Sequence, residues 1–379
     1  MSARMKLKVL SMNLVNESQI EAFEKARQTR DARFDGKFFI AVRTTGIYCR
    51  PICRVRMPKV ENITLYISAA AATEAGYRPC LRCRPEAAPG TPAWSGTSTT
   101  VKRGLRLISE GALDEQSIEE LSDKLGVTSR HLGRLFNQHL GVSPQAIAQT
   151  RRLHFAKKLI SETGLPMTEI AMSSGYGSVR RFNDHIRKVY NRSPTLLRNK
   201  RSVDADAGVK LRLPYREPFD FDGMLAFLAM RAVPQIESIV EGAYVRTLQI
   251  DGETGLLNVS QDVENRCLVC KVELTNTRPL MKVVEKVRTL FDLDADPSEI
   301  NQCLSENGEL TDLIAENPGQ RLPGAWDPFE VAVRAIVGQQ VSVKGATTVM
   351  SRIVDRYGER IGETVLFPTP ESLAALSVE

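Results

Sequence analysis

Apolar positions recur every three to four residues from Val101 to about Asn199, and the pattern repeats with an offset of 50 residues. Leu132 aligns with Phe182, Phe136 with Ile186, Arg130 with Arg180, and Gly141-Val142-Ser143-Pro144 with Asn191-Arg192-Ser193-Pro194. In the first repeat, Ser117-x-x-Glu120 predicts a capping box opening a helix to Leu125; Gly126 breaks it and Thr128 caps the next. In the second, Thr168 to Ser174 is followed by Gly175 and Gly177, with Ser178 as the cap. Short helix, glycine turn and second helix make each repeat a helix-turn-helix unit. The stripes Leu132, Leu135, Phe136, Leu140 and Val179, Phe182, Ile186, Val189 are the predicted cores, and a helix over Pro144–Ile160 holds the units at fixed spacing.

Other stretches have other periods. Residues 17–30 predict an amphipathic helix, followed by short strands and two cysteine-bearing turns. Leu211–Tyr215, Ala243–Ile250, Gly255–Val259 and Arg266–Leu274 alternate and surround a helix near Phe221–Arg231, which predicts an antiparallel sheet with helices on one side. From Trp326 the pattern is helical again, over Phe329–Val337 and Thr347–Val354. Pro85–Thr100 and Asn199–Lys210 are too rich in Pro, Gly, Ser and charge to build a core. The predicted fold class is multidomain α+β: a small α/β domain at 17–86, a linker at 87–100, an all-α double helix-turn-helix domain at 101–199, a linker at 200–210, an α+β domain at 211–320, and an all-α region at 321–379.

Charge sharpens this division. The net +6 of the chain hides 34 Lys and Arg against 17 Asp and Glu up to Val203, and 17 against 28 thereafter. A front half this basic points to nucleic acid. The exposed faces of the second helices carry Ser129, Arg130, Arg134 and Asn137, then Arg180, Arg181, Asn183 and Arg187, residue types that bond guanine and adenine edges in a major groove. The seven cysteines favour a reducing cytoplasm over a disulfide framework, and the apolar runs are too short for a membrane span.

The cysteines supply the chemistry. Cys49-x3-Cys53 and Cys80-x2-Cys83 are two close pairs suited to a tetrahedral zinc ion, which reads either as a structural zinc ribbon or as a reactive tetrathiolate. Arg43, Arg50 and Arg54 crowd the first pair and would place a polyanion beside the thiolates. Cys267-x-x-Cys270 falls on a predicted strand, where positions i and i+3 face opposite sides, so it is no metal pair. The four histidines, His131, His139, His154 and His185, show no i, i+4 spacing and read as ordinary helix residues.

Residues 17–90, with RTTG-x-x-CRP-x-C and RPC-x-x-C, resemble the zinc domain of the Ada family of DNA alkylation-repair regulators. That resemblance implies zinc held by Cys49, Cys53, Cys80 and Cys83, with Cys49 as acceptor of a methyl group from DNA methylphosphotriesters, once per molecule. The two repeats resemble the AraC-family DNA-binding domain, which implies sequence-specific binding to double-stranded promoter DNA, activation of repair genes and RNA polymerase as a further partner. Residues 209–379, with FLAMRAVPQIES, RLPGAWDPFE and FPTPESLAAL, resemble alkyladenine DNA glycosylases of the AlkA type. This implies a TATA-binding-protein-like α+β domain and the start of a helix-hairpin-helix glycosylase domain, with Gln339 and Gln340 at its DNA-facing turn. Gln340 stands where the family has an apolar wedge, and the family's catalytic aspartate lies beyond Glu379. Asp327 is expected to cap a helix, the C-terminal helices to be partly exposed, and glycosylase turnover to be absent from this chain alone. The alternative reading is a DNA-3-methyladenine glycosylase fused to a regulator.

Overall fold

The computed structural model describes residues 17–85, 88, 99–198, 208–306, 308–362 and 364–376, in two compact units that divide after Asp204. In the first unit, α1 (Glu17–Thr29) leads to β1 (Phe39–Val42), β2 (Ile47–Cys49), β3 (Ile63–Tyr66), α2 (Ala69–Glu74) and β4 (Arg78–Pro79). The sheet order is β3-β1-β2-β4, antiparallel except for the parallel β2–β4 pair. Alternation along β1 serves both faces. Phe39 and Ala41 pack with Tyr48, Tyr66 and α2, while Ile40 joins Ile63, Leu65 and Ala26 of α1.

The helical part follows as α3 (Thr99–Ser109), α4 (Ala112–Glu115), α5 (Ile118–Lys124), α6 (Ser129–Leu140), α7 (Pro144–Glu162), α8 (Met167–Ser173), α9 (Val179–Tyr190) and α10 (Pro194–Leu197). The expected capping box on Ser117 and Glu120 is present, and Thr128 and Ser178 cap α6 and α9 through their side chains. The repeat reaches the backbone: α6 and α9 both end on a left-handed residue, Gly141 and Asn191, followed by a serine N-cap and a proline in the first turn. Leu132, Phe136, Leu140, Phe182 and Ile186 are fully buried, as their stripes predicted. Asp114 of α4 receives Arg151 at 2.8 Å and Arg152 at 2.7 Å and ties that helix to α7.

The second unit contains β5 (Val209–Pro214), α11 (Phe221–Ala229), β6 (Glu237–Val240), β7 (Ala243–Ile250), β8 (Glu253–Asp262) and β9 (Cys267–Leu274), in an antiparallel sheet of order β5-β9-β8-β7-β6. The helices α12 (Leu280–Leu290), α13 (Pro297–Ser305), α14 (Gly308–Glu316), α15 (Pro328–Val337) and α16 (Val343–Tyr357) follow, then a short β10–β11 pair (Arg360–Ile361, Thr364–Val365) and α17 (Pro370–Ala374). Periodicity alone missed β6 and the three helices after β9. Most of the first linker lies outside the described residues, but α3 already starts at Thr99 within it. The second linker is likewise shorter than expected, because β5 starts at Val209. Asp327 accepts the amides of Phe329 and Glu330 and caps α15, as expected. Apolar residues of α15 and α16 remain exposed, among them Ile336, Val343 and Val349. Among the described residues no helix is long and apolar enough to cross a membrane.

A closed set of four charges joins β6, β7 and α15. Arg246 meets Glu330 at 2.9 Å and Glu237 at 3.7 Å, and Arg334 meets Glu237 at 2.6 Å and Glu330 at 2.8 Å. Burial alone would raise the Glu330 carboxyl, but Arg246 and Arg334 outweigh it and hold the group below its ordinary value of 4.5. A depressed carboxyl stabilises the fold above its unfolded pKa and loses that contribution as pH falls through the folded value. Glu330→Gln therefore costs about 3 kcal/mol at neutral pH, because it strips a partner from the buried guanidinium of Arg246 and from the half-buried one of Arg334. In urea unfolding followed from pH 7 downward, the gap between wild type and variant is constant above about pH 4.5 and closes only as pH falls on through the lower folded value of Glu330.

Candidate metal centre and nucleic-acid interface

The parallel pairing of β2 with β4 places Ile47 opposite Arg78 and Tyr48 opposite Pro79, which brings Cys49 and Cys80 side by side at the strand ends. The Cys80 amide donates to the Tyr48 carbonyl at 3.0 Å, and a turn closed by Cys53 N–H to the Arg50 carbonyl at 3.1 Å returns Cys53 to the same point. All four sulfurs lie within 4.8 Å of one another. A zinc ion with bonds of about 2.3 Å requires sulfurs roughly 3.8 Å apart, so the donor set fits in number, chemistry and spacing. Cys267 and Cys270 are buried on β9 and join no such cluster among the described residues.

Thiols packed this closely do not titrate alike. Contacts with Cys53 and Cys80, with burial added, hold the proton on Cys49. Contact with Cys49 and the other two sulfurs does the same for Cys83. Cys53 is lowered to about 7 by its contact with Cys49, and Cys80 is lowered by Cys49 and Cys53. Only a cation relieves this crowding and lets all four ionise. Backbone amides distinguish the sulfurs further. The Arg50 N–H donates to Cys83 Sγ at 3.3 Å, Val55 N–H to Cys53, and Cys83 N–H to Cys80. The largest influences on the protonation of Cys49 are the other three sulfurs and burial.

The arginines divide into two kinds. Arg43 and Arg54 are exposed, with Arg43 also donating to the Glu61 carbonyl. Arg50, expected to clamp DNA, belongs to the scaffold instead. Its guanidinium is bound two-fold by Asp35, donates to the Cys83 carbonyl at 3.1 Å, and is 11% exposed. It braces the cysteine loops because Asp35, invisible to local spacing, comes from the turn before β1. Arg30, absent from the sequence reading, borders the same cleft from a left-handed position (φ 53°) after α1 and donates to the Val55 carbonyl at 3.1 Å.

His154 proves more than a helix residue. Its Nε2 lies 2.9 Å from the hydroxyl of fully buried Tyr48, the neighbour of Cys49, and Thr73 donates to that hydroxyl at 3.3 Å. Arg84, next to Cys83, pairs with Glu162 of α7 at 3.1 Å. Ala70 of α2 belongs to the core built around Phe136. His185 is likewise engaged, with Tyr176 at 2.9 Å, and burial lowers its pKa.

On α6, Arg130, Arg134 and Asn137 are exposed and Ser129 is half-buried; on α9, Arg180, Arg181 and Arg187 are exposed and Asn183 is half-buried. Each set lies opposite its buried stripe. Their contacts are local: Arg134 with His131 at 3.2 Å, Asn137 to the Gly133 carbonyl at 2.9 Å, and Arg180 with Asp184 at 3.9 Å. Such exposed contacts are worth under about 1 kcal/mol and exchange readily for phosphate or base contacts. In the second unit Gln339 and Gln340 are exposed on the turn after α15, Gln340 with φ of 60°. They stand outside the lining of a cleft of about 440 Å³, whose floor includes the paired Arg246, Glu330 and Arg334 and the Trp326 ring.

A comparison with known proteins decides the family. The chain is 42% identical to the probable bifunctional transcriptional activator/DNA repair enzyme AlkA of Mycobacterium tuberculosis, over 93% of this chain and 73% of that protein. The chain belongs to this family of bifunctional transcriptional activators and DNA repair enzymes. Residues 22–86 match the metal binding domain of Ada, 121–200 a helix-turn-helix domain, and 210–327 the AlkA N-terminal domain. DNA-3-methyladenine glycosylase 2 of Escherichia coli is 37% identical over 43% of this chain and 57% of its own length. The bifunctional transcriptional activator/DNA repair enzyme Ada of the same organism is 35% identical over 39% of this chain and 40% of its own. The Ada-type match and the four-cysteine cluster together make zinc the metal of this Ada/AlkA chain.

Two outcomes follow from the geometry. Zinc titrated into metal-free protein binds as a single equivalent and releases protons, read as acidification of a weakly buffered indicator solution, because Cys49 and Cys83 hold protons that the metal displaces. Arg50→Ala lowers the stability of the zinc-loaded metal domain by about 3–5 kcal/mol in chemical unfolding, since it leaves the buried Asp35 carboxylate without its partner.

Proposed function

We propose that Cys49 accepts a methyl group from methylphosphotriesters in double-stranded DNA, and that the modified protein activates repair genes by binding promoter DNA through α6 and α9. The supporting observation is the placement of the four thiols: all lie within 4.8 Å of one another, and Cys49 borders a cleft shared with the exposed Arg30, whereas Cys80 and Cys83 do not border it. Bound zinc supplies a thiolate at neutral pH in place of a thiol.

In the transfer itself, a Cys49 Sγ electron pair attacks the methyl carbon from the side opposite the ester oxygen. The S–C bond forms as the C–O bond breaks, and that bonding pair leaves on the phosphodiester, which becomes an anion. The thioether product has no route back, so each molecule reacts once. Arg30, Arg43 and Arg54 hold the flanking phosphates. The centre loses one negative charge in the process. At an effective dielectric of about 20 and about 6 Å from a phosphate, relief of that repulsion is worth at most about 3 kcal/mol, which tightens DNA binding after repair.

A second reading concerns the second unit, favoured by its match to the AlkA N-terminal domain: a contribution to base excision in alkylated DNA. Release of free 3-methyladenine from methylated duplex is the assay that tests it.

The acceptor reading is tested by intact mass and peptide mapping. Zinc-loaded full-length protein incubated with methylphosphotriester duplex gains one methyl group in place of a proton, and the peptide bearing Cys49 carries it. Cys49→Ala gains none. Equal gain by the variant, or a methyl mapped to Cys53, Cys80 or Cys83, overturns the assignment.

A further inference from the structure

A second cavity adjoins the cysteines. It measures about 30 Å³ and is bordered by Cys49 and Cys53 but by neither Cys80 nor Cys83, so it lies outside the tetrathiolate rather than within it. Its lining is apolar in Ile40 and Val42 from β1, Pro51 between the two cysteines, and Val55, Met57 and Pro58 from the loop that follows, and is completed by Arg27, Arg30 and Arg50. Two of these basic side chains also fix that loop. Arg27 is buried, is held two-fold by Glu24, and donates to the Pro58 carbonyl at 3.4 Å; Arg30 donates to the Val55 carbonyl at 3.1 Å. The wall is therefore braced from α1, and it stands beside the sulfur that meets the substrate.

We propose that this pocket receives the transferred alkyl group and that Val42, Val55 and Met57 limit its length to about two carbons. The inference rests on Cys49 as acceptor and adds the substrate range of that site. In an in-line displacement the attacked carbon sits between sulfur and ester oxygen, so further carbons project sideways from that line into the wall. One water-sized group needs about 10–15 Å³, so the roughly 30 Å³ beside Cys49 has room for a short alkyl group, and a longer chain meets Val42, Val55 and Met57. The transfer balances for any alkyl group: the S–C bond forms, the C–O bond breaks, and the phosphodiester departs with the bonding pair.

The test is a series of duplexes with a single methyl, ethyl, n-propyl or n-butyl phosphotriester, each reacted once with zinc-loaded full-length protein and followed by intact mass. Ethyl and n-propyl carbons are both primary and react with free thiolates at nearly equal rates, so a drop between them reports the wall rather than intrinsic reactivity. Wild type loses about tenfold or more from ethyl to n-propyl. Met57→Ala, at a position 38% exposed, and Val42→Ala each raise the ratio of n-propyl to methyl transfer by about tenfold. An n-propyl rate that tracks ethyl in wild type, or variants that shift methyl and n-propyl alike, overturns the pocket assignment. No transfer from even the methyl ester overturns the acceptor reading itself and this inference with it, an outcome distinct from a flat alkyl series.

Discussion

The metal centre depends on one short piece of backbone pairing. Two residues of β4 run parallel to β2, and their register delivers Cys80 next to Cys49 across 31 positions of sequence. A slip of one residue would turn one sulfur to the other face of the sheet. The register is held by the packing of Tyr48, which is wedged edge-on against Phe39 with ring centroids 5.8 Å apart and whose hydroxyl is taken up by His154 and Thr73. The burial of a phenol therefore sets where the adjacent thiol stands, and the sulfur chemistry inherits its geometry from a neighbour that takes no part in it.

That same phenol gives the small sheet a stake in the helical reader. Tyr48 and Arg84 each adjoin a cysteine, and both end on α7, the helix between the two helix-turn-helix units, while Ala70 enters the core around Phe136. The cysteine loops and α7 are thus parts of one packed body, and a disturbance at the sulfurs has a short covalent and hydrogen-bonded path to the element that spaces α6 and α9.

What the sequence disclosed, and what it withheld, follows the range of the interactions. Caps, turns and helical stripes are local, so Ser117, Thr128, Ser178 and Asp327 were legible as helix starts, and the 50-residue repeat correctly paired Gly141 with Asn191. The four-cysteine set was legible because metal geometry demands two tight pairs. Roles that depend on distant partners were not. Arg50 reads as one more phosphate contact until Asp35 is seen to bind it, and His154 reads as a neutral helix residue until Tyr48 arrives from a different domain. Strand β6 was missed because its four residues are too few to show a period.

Positive charge around the cysteines consequently has two layers with opposite duties. Arg27 and Arg50 are buried or nearly so and are each matched by a carboxylate, which makes them parts of the scaffold; a buried cation without its partner would cost more than any DNA contact it made. Arg30, Arg43 and Arg54 lie on the surface, where a guanidinium keeps its hydration and meets a phosphate at little desolvation cost. Counting arginines by sequence proximity to the thiols merges these layers. Sorting them by burial separates the residues locked into ion pairs within the domain from those on the surface, and only the second group is expected to register in the salt dependence of DNA binding.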